Sequence, residues 1–379
     1  MKIIDRFRRV TSGQPLLAEV DGFRFLAILP VVLMHVFTAL TRTLPGAKET
    51  VPSAVKEVIG TGETGVLIFF VISGFILALP FAKFYLQQGK PVNLKGYYLR
   101  RLTRLEPTYF ITMLVFFLVH IVLHTDTGVS LVKHLLASLS YSHNIIYGKG
   151  SLINPVAWSL EVEIQFYILV PLLTRLFLIP SKNLRYGIYL LIMILGPFAN
   201  GFFHLAHYNL QESIIKFLHY FMAGFFIADL YICGQREHRN VYLIDIVGGL
   251  SIVGIFLVEY LGGIKFFSAF AILLAFYAVL FGKRLRHFFS NPYISAIGGM
   301  CYTIYLVHYP LTYLVLKANT RIRTGNLAAD YLINLAIFIP LILLICSILF
   351  LFIEKPFMYK DWPKRFTLYL ANFSNDKKI

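Results

Sequence analysis

Residues 64–85 read TGVLIFFVISGFILALPFAKFY, and this stretch decides the fold class. It holds one charged residue, Lys83, and is long enough to cross a bilayer, which takes about 20 mostly apolar residues in a helix. Similar runs recur along the chain. Ten of them are predicted to span a membrane: 20–41, 64–85, 107–124, 157–179, 184–202, 213–233, 241–260, 264–282, 293–317 and 329–353. The third run is short, and 130–147 is an ambiguous stretch that fits an interfacial helix.

Composition supports the same class. Hydrophobic residues make up 58% of the 379 residues and charged residues only 14%, against about a quarter in an ordinary soluble domain. A soluble protein with this composition would have too few polar residues to cover its surface. The sequence therefore predicts an all-α, polytopic integral membrane protein with a cytoplasmic segment 1–19, a membrane domain 20–353 and a cytoplasmic tail 354–379.

The basic residues predict the orientation. If the N-terminus is cytoplasmic, 24 of the 35 Lys and Arg residues fall on that side and 10 on the other, with Arg24 inside the first run. This split fits the positive-inside rule with an even number of spans and both ends in the cytoplasm. The net charge of +16 is then explained by topology and contact with anionic lipid, so nucleic acid is not expected as a partner. The expected location is the inner (plasma) membrane.

Cysteine usage gives no sign of a cofactor. Cys233, Cys301 and Cys346 lie in or at the ends of apolar runs, without the paired spacing of a disulfide framework or a metal site. We expect three small buried side chains, no bound metal and no bound cofactor.

The first run carries two ionisable residues, Arg24 and His35, in DGFRFLAILPVVLMH. Burial of such groups in a bilayer is expensive, which makes them functional candidates. Eleven residues place them about 20° apart around a helix and about 16 Å apart along it. The alternative is an arginine that extends to the headgroups and an unrelated core histidine.

The fourth run opens with Trp158 and two carboxylates in WSLEVEIQFY, Glu161 and Glu163. They lie about 200° apart on a helix, so only one readily faces the interior. Either could instead be an interfacial acid at a helix start. A carboxylate at the depth of His35 could orient the imidazole, so the sequence predicts a His–carboxylate pair near the outer side.

Polar and small residues of two other runs are further candidates. His308, with Tyr302 on the same run, returns to the outer half, although a histidine beside Pro310 could simply bind a carbonyl that the proline leaves free. Ser73 and Gly74 lie in the middle of the second run, where small residues usually indicate close helix packing.

The strongest feature on the predicted cytoplasmic side is YYLRRLTRLEP, with Arg100, Arg101 and Arg104. The last two are neighbours on one helix face. Guanidinium groups suit phosphate oxygens, but the cluster could equally contact lipid headgroups. A basic entrance and an outer histidine are what transfer from a phosphorylated cytoplasmic donor to an outward-facing hydroxyl needs.

These residues resemble the acyltransferase-3 family of membrane O-acyltransferases. DGFR with His35 is similar to the family's Arg-x10-His signature, and five more motifs follow in the family's order: FFVISGF, RRLTR followed by Pro107 and Tyr109, WSLEVEIQFY, YTIYLVHYPL and IEKPF. Phe25 and Cys301 depart from the residues usual at their positions. The resemblance covers nearly the whole chain, and it implies a stand-alone member without a C-terminal hydrolase-like domain.

The resemblance implies acyl transfer, commonly of acetyl from acetyl-coenzyme A, to hydroxyls of extracytoplasmic or lipid-linked glycans. His35 would be the base or acyl-handling residue with Arg24 as its companion, Arg101 and Arg104 would hold the donor phosphates, and Glu163 is preferred over Glu161. Direct transfer and a covalent acyl-enzyme are both compatible with the motifs. The rival interpretation is a transporter of glycans or lipid-linked sugars, and a non-enzymatic scaffold explains the intramembrane charges least well.

Overall fold

The computed structural model describes residues 3–11, 16–43, 51–123, 128–204, 209–234, 240–261, 267–318, 324–359 and 361–362. These ranges are mostly helical and contain no β-strand, which confirms the all-α class. Several charges counted for the orientation, among them Lys2, Arg236 and those of 363–379, lie outside the described residues, as does most of the predicted tail.

The helices are numbered in chain order. They are α1 (Ala18–Thr43), α2 (Ser53–Gly60), α3 (Thr64–Gln87), α4 (Leu94–Val122), α5 (Gly128–Leu139), α6 (His143–Tyr147), α7 (Trp158–Leu173), α8 (Lys182–Leu195), α9 (Ala199–Phe202), α10 (Ile214–Cys233), α11 (Val241–Tyr260), α12 (Ser268–Phe281), α13 (Arg284–Phe289), α14 (Pro292–Gly299), α15 (Cys301–Ala318), α16 (Leu327–Leu349) and α17 (Lys355–Phe357). A π-helical turn, Phe350–Glu354, joins the last two.

Seven helical stretches of the described chain are long and apolar enough to cross a membrane. They are Ala18–Thr43, Ser53–Gln87, Leu94–Val122, Pro155–Leu178, Ile214–Cys233, Val241–Tyr260 and Leu327–Phe357. These helices define a multi-pass membrane protein. Seven of the predicted runs fall on them, whereas the number ten and the orientation stay predictions.

The other three predicted runs fall on shorter helices. The run 184–202 becomes α8, which ends before Gly196–Phe198, and 264–282 becomes the 14-residue α12. The run 293–317 is divided at Met300 into α14 and α15. The ambiguous stretch 130–147 forms two helices, α5 and α6, instead of one.

Glycines set how closely the central helices approach one another. A Cβ at Gly74 on α3 would overlap the Phe221 carbonyl of α10, and one at Gly224 would overlap the Val71 carbonyl of α3. In the same way Gly65 packs on the Ala27 carbonyl of α1. Small residues let transmembrane backbones touch. The packing alternative is therefore confirmed for Gly74, whereas the neighbouring Ser73 faces a different surface.

The two ends of the bundle differ in charge. The basic end is the one at which Arg9, Arg101 and Arg286 lie, and the opposite end holds the last turn of α1 and the first of α3. Helices α1 and α3 run antiparallel, with Gly65 beside Ala27 and Gly62 beside Pro30.

Candidate active site

A polar cavity of about 100 Å3 lies inside the bundle, toward the basic end. It is called the central cavity. Helices α1, α3, α4, α7 and α15 each contribute to it, together with the π-helical turn and the N-terminal segment. Its polar lining consists of Arg9, Arg24, Ser73, Arg101, Arg104, Ser159, Glu163, Tyr167, Tyr302, Tyr305 and Glu354. The structure therefore brings together six of the residues singled out from the sequence: Arg24, Ser73, Arg101, Arg104, Glu163 and Tyr302.

Arg24 is held at this cavity by a carboxylate that the sequence reading did not consider. Asp21, one helical turn earlier on α1, pairs with Arg24 and with Arg9, the latter at 3.1 Å. Long helical side chains point toward the N-terminus of their helix, so Arg24 reaches toward the basic end. The sequence DGFR indicates this ion pair, because an acid and a base spaced i, i+3 are neighbours on a helix.

Arg101 and Arg104 line the cavity from α4, and the Nε atoms of both are buried without a hydrogen-bond partner. The Arg101 guanidinium also lies about 6 Å from the ring centres of Tyr97 and Tyr167. Arg100 points elsewhere and is exposed, because one residue is a rotation of about 100° on a helix. The structure thus separates Arg100 from the other two.

Glu163 and Ser73 meet across the cavity. The Ser73 hydroxyl donates to Glu163 Oε1 at 2.6 Å, and the Tyr167 hydroxyl bonds to the same carboxylate. Ser73 is therefore part of the site, and not only a small residue at a helix contact.

The far wall of the cavity is formed by α15 and the π-helical turn. Tyr302 donates to the Leu105 carbonyl at 2.9 Å, which ties α15 to α4. Glu354, fully buried, accepts from the Thr303 hydroxyl at 2.5 Å. Glu354 lies in the IEKPF motif, and the wider π turn presents its carboxylate to the bundle interior.

His35 does not line the central cavity. Its Nδ1 lies 2.8 Å from Nε2 of His308, and Tyr309 packs edge-on against its ring. His308 is fully buried, and its Nδ1 is 2.7 Å from the Tyr305 carbonyl. The two residues are called the histidine pair.

Hydrogen bonding fixes the tautomers of the histidine pair. A carbonyl oxygen only accepts, so His308 must carry its proton on Nδ1 and, when neutral, accepts through Nε2. His35 then donates from Nδ1, and its Nε2 keeps a free lone pair. The orienting partner of His35 is a second histidine.

The predicted contact between His35 and Glu163 is absent from the described hydrogen bonds. The helix levels explain this. Ser73, the partner of Glu163, lies eight residues past Gly65 toward the basic end, and His35 lies eight residues past Ala27 toward the other end. With Gly65 beside Ala27, the two are roughly 24 Å apart along the helix axes. The same reasoning separates Arg24 from His35.

Tyr305 connects the two polar centres. It lines the central cavity, its hydroxyl lies 2.7 Å from Ser159 Oγ and donates to the Val156 carbonyl at 3.0 Å, and its own carbonyl receives His308. Its ring also packs against Phe69. The histidine pair is therefore one turn of α15 beyond the end of the cavity.

The remaining candidates, Glu161 and Trp158, lie on α7 but face away from the central cavity. Glu161 is buried and accepts from the Asn144 backbone N–H at 2.9 Å, so it faces the α6 turn while Glu163 faces the cavity. Trp158 packs against Phe70 and Phe217 and takes no part in the cavity lining. Among the described residues, no three His, Cys, Asp or Glu side chains are grouped to hold a metal ion.

Comparisons with known proteins relate the sequence of this chain to acyltransferases. The sequence profile of the acyltransferase-3 family, described as an acyltransferase domain, matches residues 17–353. A Staphylococcus aureus (strain COL) protein with a provisional O-acetyltransferase name is 24% identical over 317 residues, which cover 76% of this chain and 49% of that protein. O-acetyltransferase OatA of Staphylococcus aureus (strain NCTC 8325 / PS 47) is 25% identical over 375 residues, covering 91% of this chain and 58% of OatA. No solved structure matches the chain.

The described chain is thus a multi-pass helical bundle with an arginine-lined cavity and a histidine pair, and an acyltransferase domain profile matches most of its length. The chain belongs to the acyltransferase-3 family, as the motifs predicted. It spans about half the length of the curated relatives that it matches.

Proposed function

We propose that this protein is a membrane O-acyltransferase that moves an acyl group, most simply acetyl, from acyl-coenzyme A to a hydroxyl of an extracytoplasmic or lipid-linked glycan. The observation that carries the proposal is the central cavity, which two half-buried arginines line and where the Nε atom of each is buried without a hydrogen-bond partner. Buried donors without partners are costly, and phosphate oxygens satisfy them well. Membership of the acyltransferase-3 family favours this function over the transporter.

The donor would enter at the basic end. Arg101 and Arg104 bind its phosphates, and the pantetheine arm extends through the cavity past Ser73 and Glu163 toward Tyr305. The Ser73–Glu163 pair offers a hydroxyl and a carboxylate to the amide groups of that arm. The thioester is then presented at the turn of α15 that holds His308.

The chemical step is assigned to the histidine pair. His35 Nε2 takes the proton of the acceptor hydroxyl while the hydroxyl oxygen attacks the thioester carbonyl carbon. The carbon–sulfur bond breaks, and coenzyme A leaves with the proton that His35 had accepted. His308 holds His35 in the tautomer with a free Nε2 and accepts from its Nδ1, which is the orienting role of the second residue in a catalytic triad.

The side assignment follows the charge distribution. The basic end is placed in the cytoplasm, where acyl-coenzyme A is made, and the histidine pair near the outer face of the inner (plasma) membrane. Lipid contacts the apolar outer surface of the bundle, for which exposed residues such as Leu250 and Phe352 are suited.

The test is a mass-spectrometric comparison of cell-surface glycans from cells with the wild-type chain, without it, and with His35→Ala. The proposal expects a defined acyl mass, +42 Da for acetyl by the chemistry of esterification, to be lost in the last two strains. Unchanged acylation together with a build-up of glycan precursors inside the cell would support the transporter instead.

A further inference from the structure

A second cavity, of about 210 Å3, lies at the end of the bundle opposite the basic end. It is formed where the turn after α6 meets the segment before α10 and the first residue of α7. Its lining consists of Asn144, Gly148, Lys149, Gly150, Trp158, Asn209, Gln211 and Glu212. Liquid water takes about 30 Å3 per molecule, so the cavity has room for on the order of seven waters.

Asn144 is the first sign that this cavity is built for a ligand. The residue is only 2% exposed, and its side-chain amide hydrogen-bonds to the Glu161 carboxylate, yet the amide oxygen has no hydrogen-bond partner. Its backbone N–H is held by Glu161, so the residue is fixed in place. A carboxylate cannot satisfy an amide oxygen, so whichever way the amide is turned, its acceptor lacks a donor from the protein.

Glu212 supplies the complementary group. Its Oε1 lies 3.3 Å from Lys216 Nζ, whereas Oε2 is buried without a hydrogen-bond partner. Burial raises the pKa of this carboxyl, against the opposing effect of Lys216. A hydroxyl donor entering the cavity would satisfy Oε2 without adding charge.

Trp158 links this cavity to the proposed reaction centre. Its indole is one wall of the cavity and packs with Phe70 and Phe217, and Phe70 also lines the central cavity. The next residue, Ser159, is bonded to Tyr305, one turn before His308. A ligand in the second cavity would therefore contact α7 one residue before Ser159, which is hydrogen-bonded to the helix that carries His308.

We propose that the second cavity binds one sugar ring of the acceptor, and this rests on the proposed function. Side-chain amides donate and accept, the carboxylate accepts and the indole offers an apolar face, which together match a neutral ring with several hydroxyl groups. The unpaired carboxylate oxygen disfavours a phosphate here, and the donor phosphates already have the guanidinium groups of the central cavity. A glycan held at this ring would present a hydroxyl to His35.

Sugar binding can be read without acyl transfer, because Trp158 and Trp362 are the only tryptophans. The full chain with Trp362→Phe is purified in detergent, and Trp158 fluorescence is followed during titration with the methyl glycosides of glucose, galactose, mannose and N-acetylglucosamine. We expect a saturable change with at least one of them, and a half-saturating concentration raised at least fivefold by Glu212→Gln or by Gln211→Ala. Glu57→Gln, an exposed residue of α2 outside both cavities, is the matched control and should titrate as the parent chain does.

No response to any of the four glycosides would overturn the inference, and so would a response that Glu212→Gln and Gln211→Ala leave unchanged. Release of coenzyme A thiol from acetyl-coenzyme A is measured on the same preparations. Sugar binding without thiol release would contradict the proposed function and leave the sugar site standing. Thiol release without sugar binding would contradict the sugar site alone.

Discussion

The two polar centres of this bundle differ in charge and in how completely they are bonded. Charged side chains surround the central cavity. Asp21 forms ion pairs with two of its arginines, and the Nε atoms of two further arginines have no hydrogen-bond partner. The histidine pair has no ion pair among its described contacts. His35 is hydrogen-bonded to His308, which is in turn hydrogen-bonded to a backbone carbonyl. Unsatisfied charge suits the binding of an ionic ligand, whereas a fixed neutral imidazole suits proton transfer. If the central cavity binds the donor and the histidine pair transfers the proton, substitutions at the two centres should change different kinetic parameters.

The largest effect is expected from His35→Ala. Loss of a general base costs about 10²- to 10⁴-fold in rate, so acyl transfer should fall by that factor while the KM for acyl-coenzyme A changes less than twofold. Steady-state kinetics with purified protein measure both. His287→Ala, which removes an exposed histidine at the basic end, should transfer at the wild-type rate.

His308 is expected to act through His35. His308→Leu removes the acceptor for His35 Nδ1, and kcat should fall on the order of 10²-fold. His308→Gln returns a side-chain oxygen that can accept the same hydrogen bond, so it should recover part of that loss. Equal activity of the two variants would show that His308 only fills space.

At the central cavity the expected change is in KM. Arg101→Ala or Arg104→Ala each removes a charge-assisted hydrogen bond of about 1.5–3 kcal/mol, or roughly 10- to 100-fold in the KM for acyl-coenzyme A. Lysine at either position should restore only part of the affinity, because it cannot bind bidentately. Arg100→Ala, on the exposed face of the same helix, should change KM less than twofold. A larger effect at Arg100 would place the phosphates on the outside of α4.

The smallest effect on catalysis is expected beside the central cavity, where α3 packs on α10. Gly74→Ala would place a methyl group on the Phe221 carbonyl and should destabilise the fold by about 1–3 kcal/mol, seen as a lower Tm. The KM of the folded fraction should stay near the wild-type value. Gly249→Ala, where a Cβ meets nothing within 4 Å, is the matched control and should not lower Tm.

The prediction of the all-α class is confirmed, and the structure places Arg101 and Arg104, predicted to share one helix face, on the same cavity. Apolar runs and the spacing of Arg101 and Arg104 are local features, and α-helical periodicity converts them directly into faces. The division of the run 293–317 at Met300 was not predicted, because hydropathy averages over a break that two adjacent glycines permit.

The partner of His35 could not be predicted in the same way. The apolar runs placed both Glu163 and His308 in the outer half of the membrane. Which of them contacts His35 depends on the relative heights of α1, α3 and α15 along the membrane normal. Those heights are set by contacts such as Gly65 on Ala27 and Gly298 on Asp21, which join residues far apart in sequence. Helix register is a tertiary property, and the run boundaries were too coarse to fix it.

One measurement tests the division between the two centres most directly. Acetyl-coenzyme A affinity and the rate of acyl transfer at saturating donor are determined on the same preparations of wild type, His35→Ala and Arg104→Ala. This division predicts that His35→Ala binds the donor normally but transfers about 10²- to 10⁴-fold more slowly, and that Arg104→Ala binds weakly yet transfers near the wild-type rate once saturated. Transfer at the wild-type rate by His35→Ala, or unchanged donor affinity in Arg104→Ala, would contradict it.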